Sequence, residues 1–184
     1  MKKSIFRTSI ILFGAILLCF AMGCQKQAEE TVDAAVSADV EEFKAIAHRE
    51  IDEAWNNGNL DVLDENYSAD MVYHLPPNPD IVGLEAYKQY IEQTRLTYSD
   101  LKITITELVV EGNTLAMTWV LDGTQDGPSA SLGIPATGKH VTFSGCAVVH
   151  RVDGKTVETW NYVDYVGLMT QLGFTITPPE FPEK

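Results

Sequence analysis

The chain has 184 residues, 45% of them hydrophobic, with 13 basic against 26 acidic side chains and a net charge of −13. That length holds one domain with a buried core. The excess of acid repels nucleic acid and anionic lipid headgroups, so neither is expected as a partner held by charge.

In chain order, the first segment is Met1–Cys24. Lys2, Lys3 and Arg7 give a basic start, Ile10–Met22 is apolar apart from Gly14, and Gly23-Cys24 follows. A bilayer core takes ~20 apolar residues to span, more than this run supplies. A basic start, a short apolar run and a small residue at the cut mark a secretory signal. Ending in Ala21-Met22-Gly23-Cys24, the segment resembles a bacterial lipoprotein signal. The resemblance implies cleavage after residue 23 and a lipid on Cys24. The protein would then sit in the cell envelope, anchored to the membrane through Cys24. Gln25 after the cysteine points to the outer membrane in a Gram-negative cell. An ordinary secretory signal cut at the same place is the alternative. Cys19 leaves with the signal, so Cys146 has no partner for an internal disulfide and is expected as a packed thiol.

Residues 24–38 are small, polar and acidic, and read as a flexible tether. From Asp39, the residues Phe43, Ile46, Ala47, Ile51, Ala54 and Trp55 recur at spacings of three and four. That predicts a helix ending near Asn57-Gly58. Leu60, Leu63 and Tyr67 predict a second, shorter helix. Met71–Leu75 reads as a short strand, Pro76–Pro79 as a loop, and Gly83–Leu96 as a third helix with Leu84, Tyr87, Ile91 and Leu96 on its apolar side. Strands follow. Leu101, Ile103 and Ile105 alternate with polar residues, Gly112-Asn113 turns the chain, and Leu115, Met117, Trp119 and Leu121 alternate again. Gly123–Gly138 reads as a loop and His140–Arg151 as a long strand. Asp153-Gly154 is a two-residue hairpin signal, because both residues tolerate positive φ. Lys155–Tyr165 is the last strand, Leu168–Leu172 a helical turn, and residues 176–184 a tail. Helices followed by an antiparallel meander predict an α+β fold over residues 39–175, a curved sheet wrapped around about three helices with a pocket between.

Several blocks carry a resemblance. They are Asn57–Asp61 before Val72-Tyr73-His74, Gly83-Leu84-Glu85, Gly123-Thr124 leading to Gly133–Lys139, Asp153-Gly154-Lys155 leading to Glu158, Trp160 and Asp164, and Gln171-Leu172-Gly173. In that order they resemble the SnoaL-like polyketide cyclase family, also called ester cyclases, of the nuclear transport factor two-like superfamily. The resemblance implies a cone-shaped fold and cofactor-free, metal-free acid/base chemistry. A buried carboxylate takes a proton from an acidic carbon, and burial brings its pKa nearer the working pH. It implies Asp164 as the acid/base, a capping or rim residue after the strand being the alternative, and His150 as a second catalytic residue, a half-exposed hairpin residue being the alternative. The chain departs from the family at Gln125, where a His is common, and at Asn161, where an acidic residue is common.

An unbroken two-residue turn pairs Val152 with Lys155, which puts Asp164 opposite Phe143 and His150 opposite Val157. Seven residues then separate Val157 from Asp164, on the order of 23 Å, so His150 and Asp164 are not expected to touch. Under this register Trp160, Tyr162 and Asp164 share a face with Phe143 and Gly145, an aromatic wall suited to a flat ligand. His74 at the end of the first strand and Trp119 complete the expected ligand contacts. The expected function is an envelope-anchored enzyme acting on a small hydrophobic or ring-shaped molecule. The alternatives are a non-catalytic ligand-binding lipoprotein and a protein-interaction module that dimerises through its sheet.

Overall fold

The computed structural model describes residues 39–175 and 177. The chain divides into two units, residues 1–42 and 43–184. Of the first unit, residues 39–42 are described and are helical. The signal, Cys24 and the tether lie outside the described residues.

In the second unit, residues 43–56 form α1, whose last six, Ile51–Asn56, wind as a π-helix. Then come α2 (Val62–Asn66), β1 (Tyr67–His74), β2 (Ile81–Val82), α3 (Leu84–Thr97), β3 (Lys102–Glu111), β4 (Thr114–Gln125), β5 (Lys139–Val152), β6 (Lys155–Val163) and α4 (Tyr165–Gln171). The six strands make one sheet in the order β2-β1-β6-β5-β4-β3. All neighbours are antiparallel except β1 and β6, which run parallel. The expected meander accounts for β3 to β6, and the parallel β1–β6 pair makes the sheet mixed. Tyr67, expected on the second helix, instead opens β1. Leu96, expected on the apolar side of α3, is 65% exposed.

The sheet buries one face against α1 and α3. Ile51, Ala54 and Trp55 of α1, Leu84, Tyr87 and Ile91 of α3, and Ile103, Trp119, Leu121, Val141 and Phe143 of the sheet form the main core. Two contacts fix the π-helical end of α1. The Asn56 side chain copies a strand partner: its Oδ1 accepts from Ile103 N at 2.7 Å and its Nδ2 donates to Ile103 O at 3.0 Å. The Arg95 guanidinium of α3 donates to the carbonyls of Trp55 and Asn56, which a helix end leaves without partners.

The hairpin between β5 and β6 turns at Asp153 and Gly154, with φ of 49° and 75°. The positive φ at both positions is what a two-residue turn matching strand twist requires. Val152 pairs with Lys155 and Arg151 with Thr156, as expected, but His150 pairs with Glu158. Val157 is the extra residue of a β-bulge, and a bulge moves every residue beyond it to the opposite face.

Candidate functional site

Between the concave face of the sheet and helices α1 and α3 lies a cavity of about 510 Å3, a size usual for small-molecule sites. Glu50 and Trp55 of α1, Tyr87 and Tyr90 of α3, and Tyr73 of β1 line one side. Trp119, Phe143, Thr159 and Asn161 line the sheet wall, and Ser129–Leu132 of the 126–138 loop lie at the mouth with Asp80. Among the described residues, no Lys, Arg or His lines this cavity, and its carboxylates are Glu50 and Asp80.

Glu50 is the residue that the sequence reading missed. It follows Ala47 by three and precedes Ala54 by four, so the helical period carries it inward with Phe43, Ala47 and Ile51. It stands where α1 passes into its π-helical turn, a local widening frequent at functional sites. Glu50 is of intermediate exposure, as befits a carboxylate walled by protein yet facing a cavity. The Tyr67 hydroxyl donates to its Oε2 at 2.6 Å and the Tyr87 hydroxyl to its Oε1 at 2.9 Å. Burial pushes the Glu50 pKa up, while the hydrogen bonds from Tyr67, Tyr87 and Trp55 pull it back in part. Burial and the neighbouring Glu50 charge hold the Tyr67 and Tyr87 hydroxyls far above their ordinary range, so they remain donors. Around them the rings are continuous. Tyr73 and Tyr87 centroids lie 4.8 Å apart, Tyr67 and Tyr87 5.5 Å, and Trp55 meets Tyr87 and Tyr90 edge-on at 6.3 and 5.9 Å.

On the sheet wall, the buried Trp119 Nε1 donates to Asn161 Oδ1 at 3.0 Å. An indole N–H can only donate, so this bond sets the amide's orientation and leaves the Asn161 NH2 as its donor. Gly145 makes room for the indole: a Cβ there would lie 2.2 Å from Trp119 Cζ2 and 2.4 Å from the Tyr162 carbonyl oxygen. The Thr159 hydroxyl, also on the cavity wall, is buried without a hydrogen-bond partner. Such an atom leaves a hydrogen bond to be made.

The bulge at Val157 rearranges the expected site. Trp119 and Phe143 line the cavity, but on β6 it is Thr159, Asn161 and Val163 that face inward. Trp160 and Tyr162 pair with Val148 and Cys146 on the outer face, where Tyr162 is 48% exposed. His74 is also outside the cavity. It stacks on Trp160 at 3.8 Å, with Nδ1 2.8 Å from Asp80 Oδ1 and Nε2 3.1 Å from Glu158 Oε1. Burial lowers the His74 pKa, but the two carboxylates outweigh this and hold it above the ordinary value. His150 pairs with Glu158, and its Nδ1 lies 3.2 Å from Thr114 Oγ1, away from the cavity.

Asp164, expected as the acid/base, is exposed and caps α4, accepting from Gly167 N at 2.8 Å. Strand β6 ends at Val163, and the carboxylate satisfies a helix-start N–H instead of lining the cavity. Cys146, expected as packed, is exposed on the outer face. Gln125 is fully buried and ties down the 126–138 loop. Its Oε1 accepts from the Thr137 backbone N at 2.8 Å, and its Nε2 donates to Gly127 O at 2.7 Å and Pro135 O at 3.1 Å.

The family model of the SnoaL-like polyketide cyclases matches residues 45–172. TsrD from Streptomyces laurentii is 30% identical with a TM-score of 0.64, over 71% of this chain and 94% of that one. A protein of Jannaschia sp. CCS1 assigned to the SnoaL-like polyketide cyclases shares the fold, with 24% identity and a TM-score of 0.67 over 76% of this chain and 95% of that one. An LEH-like epoxide hydrolase of M. tuberculosis also shares it, with 16% identity and a TM-score of 0.58 over 73% of this chain and 91% of that one. No curated protein matched in sequence. With a six-stranded mixed sheet, a cavity between it and the helices, and a family match that spans both, the chain belongs to the SnoaL-like polyketide cyclase family.

Proposed function

We propose that the protein is a cofactor-free acid/base enzyme that takes a small, ring-bearing, mostly apolar molecule into this cavity, with Glu50 as the acid/base. The observation that carries the reading is the Glu50 carboxylate on the cavity wall, held by two phenols, its pKa raised by burial toward the pH of use. In the reaction, Glu50 takes a proton from a carbon beside a carbonyl. The C–H electron pair moves onto the carbonyl oxygen, where the Asn161 NH2 is the available donor. The enolate carbon then attacks a second carbonyl or is reprotonated, and Glu50 returns the proton.

Exchange of the carbon-bound protons of 2-tetralone in D2O, followed by proton NMR, tests this without knowledge of the natural substrate. Wild-type protein should accelerate exchange over buffer, and Glu50→Gln should lose on the order of a hundredfold or more of that acceleration. Binding of 2-tetralone with no acceleration would make the domain a binding module instead. The signal at Met1–Cys24 supports an envelope protein with a lipid on Cys24. Cys24→Ser should abolish labelling by a radioactive fatty acid, and unchanged labelling refutes the anchor.

A further inference from the structure

We infer that the molecule taken by this cavity carries a positive charge on nitrogen: a protonated or quaternary amine on a ring frame, seated against Trp55, Tyr67, Tyr73, Tyr87 and Tyr90 with Glu50 as its counter-ion. The inference rests on the cavity being the small-molecule site and adds the charge of the molecule. Three observations carry it. Among the described residues the lining holds two carboxylates and no Lys, Arg or His. Asp80, at the mouth, is already met by the His74 ring at 2.8 Å. Glu50 has phenol donors but no cationic partner among the lining residues.

A carboxylate in a ring-lined space is costly to leave without a counter-charge, and two phenol hydrogen bonds offset that cost only in part. The rings beside it are one connected cluster, with neighbouring centroids 4.8 to 6.3 Å apart. Ring faces attract a desolvated cation, and a set of rings around one point is the arrangement that recognises ammonium groups. A neutral or anionic ligand gains nothing from the charge, and an anion would be repelled by it. The net charge of −13 works in the same direction, drawing cations toward the protein. A cationic nitrogen beside the reacting carbon also makes its C–H more acidic, so one carboxylate can hold the cation and receive the proton.

A matched pair of probes tests the charge: 2-aminotetralin, protonated at neutral pH, and 2-tetralol, the same frame with a neutral hydroxyl. Calorimetric titration of the full chain should find the amine bound at least tenfold more tightly. Glu50→Gln should remove that preference while keeping the tetralol affinity. Tyr90→Leu, which deletes a ring and no charge, should weaken the amine more than the tetralol. Wild-type affinity for the amine should fall on acidification as Glu50 takes up a proton, with tetralol unaffected. The groups facing Glu50 are Tyr67 and Tyr73 from β1, Tyr87 from α3 and Trp55 from its own helix, and the phenols do not ionise in this range. His74 lies against Asp80 and outside the cavity, so if Glu50 sets the pH profile Asp80→Asn should leave it in place. If Glu50→Gln does not fold, the wild-type pair and its pH profile decide. Equal affinities, or a preference that survives Glu50→Gln, overturn the inference and leave the cavity as a neutral-ligand site. Binding of neither probe overturns both readings.

Discussion

The Tyr67–Glu50 bond is the contact whose removal tests the site most directly. Tyr67→Phe deletes one hydroxyl, keeps the ring in its buried place, and opens no cavity larger than an oxygen. What is lost is a 2.6 Å hydrogen bond to a carboxylate. Hydrogen bonds to charged groups contribute about 1.5–3 kcal/mol. Glu50 Oε1 keeps the Tyr87 donor, so a loss of ~2 kcal/mol is expected. In a Glu50→Met background, of similar volume, the Tyr67 hydroxyl has lost this acceptor, and Tyr67→Phe should be neutral or stabilising. The cycle should therefore close with a coupling of ~2 kcal/mol, measured by urea unfolding followed through tryptophan fluorescence at neutral pH. The carboxyl adds a pH signature. Burial raises its folded pKa above the ordinary 4.5. Between the unfolded and folded values the native state therefore holds the proton more firmly than the unfolded chain. The contribution of Glu50 to stability is fully present below the unfolded value and is lost as the pH rises through the folded one. Glu50→Met removes that loss, so the variant should gain on wild type as pH rises through the window. Additivity of the two single changes within ~0.5 kcal/mol would refute the buried, coupled carboxylate.

Three further outcomes are expected. Gly145→Ala should cost about 1–3 kcal/mol and alter the fluorescence of Trp119, because the added carbon meets a backbone carbonyl that cannot turn aside; unfolding curves and emission spectra check it. Asn161→Leu should cost about 1–3 kcal/mol in thermal or urea unfolding, because it leaves the Trp119 N–H buried without an acceptor. Asp164→Ala should cost ~1 kcal/mol as a lost helix cap and leave 2-tetralone affinity unchanged; a fall in that affinity would return Asp164 to the site.

Much of the fold was legible because one face of each strand is buried. The alternation of Leu115, Trp119 and Leu121 marks the inner face of β4, and Asp153-Gly154 marks its own turn. What failed to read were features set by tertiary contact. Leu60, Leu63 and Tyr67 have helical spacing, yet Tyr67 leaves α2 as its cap and starts β1, where its ring joins Tyr87 and its hydroxyl reaches Glu50. The bulge at Val157 has no mark in composition, since any residue can be the extra one in a two-against-one pairing. That single residue exchanged the two faces of β6, so a strand read one position out of phase put Trp160 and Tyr162 where Thr159 and Asn161 belong. Glu50 was hidden by a different rule. A charged residue in an amphipathic helix is ordinarily read as facing water. Its phase relative to Ala47 and Ala54 was the available signal.

These two misreadings are linked through the chemistry of the cavity. With Val157 bulged, β6 offers the cavity a hydroxyl and an amide, and neither Thr159 nor Asn161 can exchange a proton as a carboxyl does at ordinary pH. Asn161 stands where the family commonly has an acidic residue, and its oxygen is taken up in holding Trp119. The carboxylate held deep on the cavity wall is therefore on the helix side, where Glu50 projects from the start of the π-helical turn between two phenols. The mouth carboxylate, Asp80, is exposed and hydrogen-bonded to the His74 ring, so solvent weakens its field. The cavity is thus polarised across its width, with a hydrogen-bonding wall on β6 and a negative, ring-lined wall on α1 and α3. A ligand that uses both walls needs a hydrogen-bonding group at one end and a proton to give, or a positive charge to place, at the other.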